Sequence, residues 1–166
     1  MPQIRFVALS PETLTALIDG DLAAASRLAG TQLSGYLLTE EWLWRIRRDQ
    51  IARNPASADW VARAVIDAET GQVVGHGGFH GPPDDDGTVE VAYSVDPVFR
   101  RRGYAKAILA ALLERARAEP AVRRVRASIR PDNAGSLATV KGFGFRKVGE
   151  QWDPEDGLEW VFQRDV

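Results

Sequence analysis

The 166-residue sequence contains no cysteine. That removes disulfides, thiolate metal sites and a cysteine nucleophile together. Histidine is nearly as scarce: His76 and His80 are the only two. A zinc site would have to be completed by carboxylates, and no ligand spacing suggests one. No apolar run approaches a membrane span. The opening Met1-Pro2-Gln3-Ile4-Arg5 has neither the charged nor the apolar region of a signal peptide, so a cytoplasmic protein is expected. An excess of one charge is lacking too. The 21 Lys and Arg face 23 Asp and Glu, a net of −2, which gives no general electrostatic reason to bind nucleic acid or an anionic membrane.

What is present is an ordinary globular balance, with 45% apolar and 27% charged residues. The length suits one domain with its own core, spanning residues 1–166. No internal repeat, linker or low-complexity segment interrupts it.

Periodicity divides the chain into strands and helices. Ile4–Leu9 reads as a short strand. Ser10-Pro11-Glu12 reads as a capped helix start with proline at the first helical position. Helical pattern continues through Leu22–Leu28 and resumes at Thr39, a cap for Glu40–Arg53, which Asn54-Pro55 stops. Trp60–Asp67 and Gln72–Phe79 read as a hairpin around Glu69-Thr70-Gly71. After the loop 81–87, Thr88–Val95 alternates, with Val89, Val91, Tyr93 and Val95 opposite Glu90, Ala92 and Ser94. A helix follows on Ala105, Ile108, Leu109, Leu112, Leu113 and Ala116, closed by Pro120. Then come strand Val122–Ile129, a short helix Asn133–Lys141, and strands Arg146–Trp152 and Leu158–Arg164. The expected fold is mixed α/β (α+β): about seven strands in a largely antiparallel, twisted sheet, one parallel pair around the Ala105 helix, and about four helices.

The stretch Tyr93-Ser94-Val95-Asp96-Pro97-Val98-Phe99-Arg100-Arg101-Arg102-Gly103-Tyr104-Ala105 is a strand, a basic loop with one glycine, and a helix start. Free N–H groups and the helix dipole make such a start an anion site. Gly103 lets backbone approach the anion, Ala105 permits close packing, and three arginines add charge. A diphosphate is the natural guest. No G-x-x-x-x-G-K-[ST] and no G-x-G-x-x-G after a first strand are present, so the nucleotide folds that use them are excluded or disfavoured.

R-x-x-G-x-A between a strand and a helix resembles the coenzyme A motif of the GNAT superfamily of N-acetyltransferases. Asn133-Ala134-Gly135-Ser136, followed by Gly144-Phe145, resembles the second signature of that family. The element order matches as well, so the resemblance covers nearly the whole chain. It is strongest for the ribosomal-protein alanine acetyltransferase branch and its small-molecule relatives. The resemblance implies acetyl-CoA as co-substrate. It implies that Tyr93, Ser94 and Val95 face the pantetheine arm, and that Arg100, Arg101, Arg102, Gly103, Tyr104, Ala105 and Lys106 surround the diphosphate. Asn133 would bond the pantetheine, with Ser136 beside it. The activity implied is acetyl transfer to a primary amine of a small molecule or a peptide N-terminus. The alternative is a non-catalytic acyl-CoA sensor on the same fold. Homodimerisation is left open.

An alkylammonium with a pKa near about 10.4 is almost fully protonated at neutral pH, so acetylation needs a base. Glu90, on the strand that would carry the thioester, is the first candidate, and an exposed strand residue paired with an arginine is the competing reading. His76 and His80 on the neighbouring strand could act directly or through water, although a strand histidine is more often structural. Gly75–Gly78 suggests a bulge or close approach there. The sequence departs from many relatives by placing Val140 where they carry a tyrosine acid, and Ser128 where one branch carries a glutamate base. The leaving thiolate is then unassisted or served by Tyr93, Tyr104 or water. Trp42, Trp44 and Trp60 either line an acceptor pocket or pack the core. Trp42 and Trp44, two apart on a helix, cannot share a face. Asp84-Asp85-Asp86 is either a cation lure or a solvated tip.

Overall fold

The alternation along residues 88–95 is realised as a strand that divides the molecule into two faces. The computed structural model describes residues 1–166. Its strands are β1 (Ile4–Ala8), β2 (Arg63–Asp67), β3 (Val73–Phe79), β4 (Thr88–Val95), β5 (Arg124–Ile129), β6 (Arg146–Asp153) and β7 (Gly157–Asp165). They form one sheet in the order β1-β2-β3-β4-β5-β7-β6. Every adjacent pair is antiparallel except β4 with β5, which is parallel.

Six α-helices surround the sheet: α1 (Pro11–Ile18), α2 (Leu22–Ala29), α3 (Gly35–Leu38), α4 (Glu41–Arg53), α5 (Tyr104–Ala118) and α6 (Ala134–Lys141). The crossover α5 buries Ala107, Ile108, Leu109, Leu112, Leu113 and Ala116. It lies on the Tyr93 face, where Gly77 leaves room for Ile108 and Phe6. The opposite, even-numbered face of β4 looks toward α3 and α4. Tyr36 of α3 bonds Ser94 there, and Trp44 of α4 packs its ring edge against His76. No helix is long and apolar enough to cross a membrane.

The N-terminal third departs from the expected pattern. Its two predicted helices are four, because Gly20 turns left-handed at φ +75° and Asp21 caps a new helix by accepting from Ala24 N–H. Thr39 is not the cap of α4. Its hydroxyl donates back to the Tyr36 carbonyl at 2.6 Å, and Glu40 takes the cap position with its carboxylate turned elsewhere. The predicted strand at Trp60 begins only at Arg63, because a 3-10 turn over Pro55–Asp59 runs up to Trp60 and Ala62 adopts φ +56°. The glycine-rich stretch of β3 does hold an irregularity. Val65 faces Gly75 but Ile66 faces Val73, so Val74 bulges out.

One feature of the register sets up everything that follows. β4 and β5 pair only at Thr88↔Arg124, Val89↔Val125 and Glu90↔Arg126. Beyond Glu90, β4 stays with β3 as far as Val95↔Gly75, while β5 stays with β7 as far as Ile129↔Trp160. The sheet therefore opens into a wedge in its middle.

Candidate active site

The walls of the wedge carry backbone groups with nothing to pair with. On β4, the Glu90 carbonyl accepts from His80 N–H, and the Asp96 N–H just past the strand donates to Val74, both on the β3 side. Alternation then directs the backbone groups of Tyr93 and Val95 the other way, into the wedge. The Val95 carbonyl is taken by Arg100 Nε at 3.2 Å. The Val95 N–H and both groups of Tyr93 remain for a guest.

At the mouth of the wedge lies the loop before α5. Arg101 adopts φ +63° and Gly103 φ +87°. These left-handed turns swing the chain so that successive N–H groups point one way, forming an anion nest. The first bond of α5 runs from Ala107 N–H to Gly103 O, and the N–H groups from Arg101 to Lys106 have no partner in the chain. Gly103 is required twice over. Its φ is costly for any side chain, and a Cβ there would lie 3.2 Å from Pro2 Cδ.

Wedge and loop together enclose a cavity of about 690 Å³. Of the residues expected around a cofactor, Tyr93, Ser94, Val95, Arg100, Arg101, Gly103, Tyr104, Ala105, Lys106, Asn133 and Ser136 line it. Arg102 does not, since its guanidinium lies over the Phe99 ring, 5.5 Å from the centroid. The Tyr104 side chain turns away: its hydroxyl donates to Asp67 Oδ2, tying the helix start to the end of β2. Asn133 caps α6, its Oδ1 accepting from Ser136 N–H at 3.1 Å. That leaves its Nδ2 to donate into the cavity. Phe99, Gly135 and Thr139 line the cavity too and were not expected. Gly135 lies inside the second signature stretch, which was the available signal. The Tyr93 hydroxyl is buried without a partner, and burial pushes its pKa up to about 12.

Glu90 stands at the apex where the strands part, half-buried. Its Oε1 accepts from Ser128 Oγ at 2.5 Å, and its Oε2 lies 3.5 Å from His80 Nε2. Gln151 of β6 donates to Ser128 Oγ at 3.1 Å and to Glu159 Oε1 of β7 at 3.0 Å. The buried Arg47 of α4 reaches the His80 carbonyl, as does Gln50 at 2.6 Å. Desolvation draws His80 below its ordinary value, with Glu90 opposing and Arg47 reinforcing. Glu159 is held above its ordinary value by desolvation, with Asp153, Asp156 and Glu90 adding to it. Glu90, Glu159, Asp153 and Asp156 thus gather on one side of the apex, with Arg47 as a counter-charge.

His76 is buried, and its Nε2 lies 3.3 Å from Glu40 Oε1. It shares the even face of β4 with Glu90 but belongs to a different cluster. Tyr36 stacks on it, and the same Glu40 oxygen accepts from Tyr36 at 2.8 Å. Tyr36 and Glu40 were not expected from sequence, since the helix break at Thr39 hides their spacing. The space beside His76 and Trp44 is only about 10 Å³, room for a water and not for an acceptor. Trp44 is fully buried and donates to Leu37 O, Trp60 packs on Phe79 in the core, and Trp42 is 55% exposed. The face argument about Trp42 and Trp44 holds, but Trp44 and Trp60 are core residues. Asp84 folds its carboxylate onto the N–H groups of Asp86 and Thr88, making a turn at an exposed tip.

Compared with known proteins, residues 11–146 match the family described as the acetyltransferase (GNAT) domain. The chain belongs to the GNAT acetyltransferase family. A relative in Bacillus subtilis (strain 168), described as an uncharacterized N-acetyltransferase, YjdG, is 28% identical over 98 residues. That match spans 59% of this chain and 58% of that protein. Among solved structures, the ribosomal-protein-S5-alanine acetyltransferase of Vibrio fischeri superposes with a TM-score of 0.63 at 16% identity, covering 98% of this chain and 92% of that one. The ribosomal L7/L12 alpha-N-protein acetyltransferase RimL, in complex with coenzyme A, gives 0.68 at 17% identity, with 98% and 94% covered. At such identities the likeness establishes the GNAT fold.

Proposed function

We propose that residues 1–166 act as a single acetyl-CoA-dependent N-acetyltransferase domain, with the primary amine of a small molecule or a peptide N-terminus as acceptor. The observation that carries this reading is the run of unpartnered N–H groups from Arg101 to Lys106 at the mouth of the β4–β5 wedge. Nothing in the fold needs those groups left free, and a diphosphate satisfies them. Coenzyme A bound in RimL supports the same ligand here.

Acetyl-CoA, when bound, supplies a thioester carbonyl as electrophile. The Arg101–Lys106 N–H groups and the Lys106 and Arg101 side chains hold its diphosphate. Asn133 Nδ2 donates to the pantetheine amides, and the backbone of Tyr93 and Val95 extends the sheet onto that arm. An N–H from this edge also faces the carbonyl oxygen as charge develops on it. Glu90 accepts the proton that the ammonium must lose, and Ser128 keeps its carboxylate oriented. Glu90, Glu159, Asp153 and Asp156 give this side of the apex the sign that attracts a cation. Attack is direct, in a ternary complex of chain, acetyl-CoA and amine. Tyr104 is committed to Asp67, which leaves Tyr93 or water to protonate the departing thiolate.

A thiol-release assay with acetyl-CoA and a panel of amines tests the reading. Amine-dependent release of coenzyme A is expected. Tight cofactor binding with no release for any amine would make the chain an acyl-CoA sensor instead.

A further inference from the structure

The acetyl-transfer scheme leaves one half-buried polar cluster unused: Tyr36 of α3, Glu40 before α4, His76 of β3 and Ser94 of β4. It forms an unbroken chain of contacts. His76 Nε2 lies 3.3 Å from Glu40 Oε1, Tyr36 Oη lies 2.8 Å from the same oxygen, and Ser94 Oγ lies 2.6 Å from Tyr36 Oη. Trp42 Nε1 holds the other Glu40 oxygen at 3.1 Å. The far end, Ser94, lines the cofactor cavity.

The chain has a fixed direction. The hydrogen bond from His76 holds the Glu40 carboxyl below its ordinary value, the bond from Tyr36 adding and burial opposing. An ionised carboxylate can only accept. Tyr36 stays protonated, because burial pushes its pKa up to about 12 even with Arg100 facing it. Its single proton is therefore committed to Glu40. The Tyr36–Ser94 contact must then run the other way, with Ser94 donating to Tyr36 Oη. That rotates the Ser94 lone pairs away from Tyr36 and toward the cavity.

We infer that Glu40, acting through Tyr36, fixes Ser94 as a hydrogen-bond acceptor at the thioester end of the cavity, where it receives an N–H of the attacking amine. The inference rests on the transferase reading above. As the nitrogen lone pair forms the N–C bond, the nitrogen becomes positive and its N–H a stronger donor. The C–S bond breaks with its electron pair leaving on sulfur, and the second proton that nitrogen sheds passes to that thiolate through Tyr93 or water, Glu90 having taken the first from the ammonium. Ser94 takes no proton. Its bond strengthens as the transition state forms, so it favours turnover over ground-state binding. Glu90 lies four residues away, roughly 13 Å of strand, so the two have separate tasks. Ser94 lines the cavity and touches the nitrogen, while Glu90 lies outside that lining and deprotonates the ammonium before it reaches the thioester. Ser94 is thus a catalytic residue, and Tyr36, Glu40 and His76 are positioning residues.

The test is a mutant cycle on the intact chain, using whichever amine of the panel gives the fastest release. Ser94→Ala, Tyr36→Phe and Glu40→Gln should each lower kcat about ten- to a hundredfold, the range for one hydrogen bond to a charged centre. Affinity for acetyl-CoA and the amine KM should change little. The Ser94→Ala/Tyr36→Phe double variant should lose no more than the worse single one, because the residues act as a unit. Additive losses, a Ser94→Ala kcat within twofold of wild type, or a defect confined to acetyl-CoA binding overturns the inference. If Tyr36→Phe fails to fold, the Ser94/Glu40 pair completes the same cycle. A wild-type chain inert to every amine defeats the transferase reading instead, which keeps the two failures distinct.

Discussion

Replacing Glu90 by glutamine tests the base assignment where the geometry is most constrained. The amide oxygen can still accept from Ser128 Oγ, as Glu90 Oε1 does at 2.5 Å. The amide nitrogen falls where Oε2 now lies 3.5 Å from His80 Nε2, and the shape of the apex is preserved. Proton acceptance and one negative charge are lost together, and the pH profile tells the two apart. Removal of a general base costs about 10²–10⁴-fold in turnover. An alkylammonium of pKa about 10.4 is free amine only about once in a thousand molecules near pH 7.4. The penalty at neutral pH should therefore be of order 10²–10³, since the rare free amine still reacts. As pH rises toward 10 the free fraction grows several-hundred-fold, and the gap between variant and wild type should close in parallel. The assay is a pH–rate profile of coenzyme A release at saturating acetyl-CoA, with its affinity measured separately and expected to be unchanged. A variant profile parallel to wild type refutes the base role. A higher amine KM with no rescue by pH would leave Glu90 an acceptor-binding residue.

Three further outcomes follow from the cofactor side. Acetyl-CoA at about 100 times its Kd should stabilise the chain by about 2.7 kcal/mol, a rise in Tm of about 5–11 °C for a domain of this size; no shift and no calorimetric heat would remove the diphosphate site. Gly103→Val meets both the left-handed φ and Pro2, so affinity for coenzyme A should fall at least tenfold while affinity for a pantetheine fragment falls less, and equal losses would refute the loop's role. Tyr104→Phe removes the first of the bonds that hold Asp67 below its ordinary value, the N–H groups of Thr70 and Glu69 supplying the rest. A depressed carboxyl stabilises the fold above its unfolded pKa and loses that contribution as pH falls through the folded one, so the Tm of Tyr104→Phe should drop below wild type at pH 7 and converge with it as pH falls below the ordinary carboxylate range; a pH-independent gap would show that the contact works through packing alone.

The loop proposed to hold the cofactor was legible because backbone makes it. An anion nest needs a contiguous loop, a glycine able to reach φ +87° and a helix directly after it. All three lie within a few residues, so they leave a local pattern. What the sequence hid was the course of two side chains, those of Arg102 and Tyr104, whose backbone N–H groups stay in the loop. A loop's composition says that charge and a ring are present, but not that one arginine lies on Phe99 while Tyr104 spans to the end of β2. The strands were readable as well, since period two survives wherever one face is buried. The N-terminal helices were blurred by a single left-handed glycine. The cap at Thr39 was lost to competition, because its hydroxyl found the Tyr36 carbonyl first.

The acceptor half resisted reading because no two of its groups are near in sequence. Glu90, Ser128, Gln151 and Glu159 come from four strands, and His80 is held from α4. Only the register brings them to one face, and a slip of one residue would send any of them to the other. The register also gives physical sense to the sequence's two departures from its relatives. Position 128 lies on β5 two residues beyond Arg126, the register partner of Glu90, on the same face and within hydrogen-bond reach of its carboxylate. A carboxylate from either strand therefore arrives at the same place. Two there would repel and raise one pKa sharply, so a serine that donates to Glu90 is the compatible partner. Position 140, by contrast, is fully packed beneath α6 with Val140 1% exposed. A hydroxyl at that depth would have to turn out of the core to meet the cavity. On the proposed reading the base stands on β4 instead of β5, while Ser94, an acceptor that takes no proton, does not stand in for the tyrosine acid.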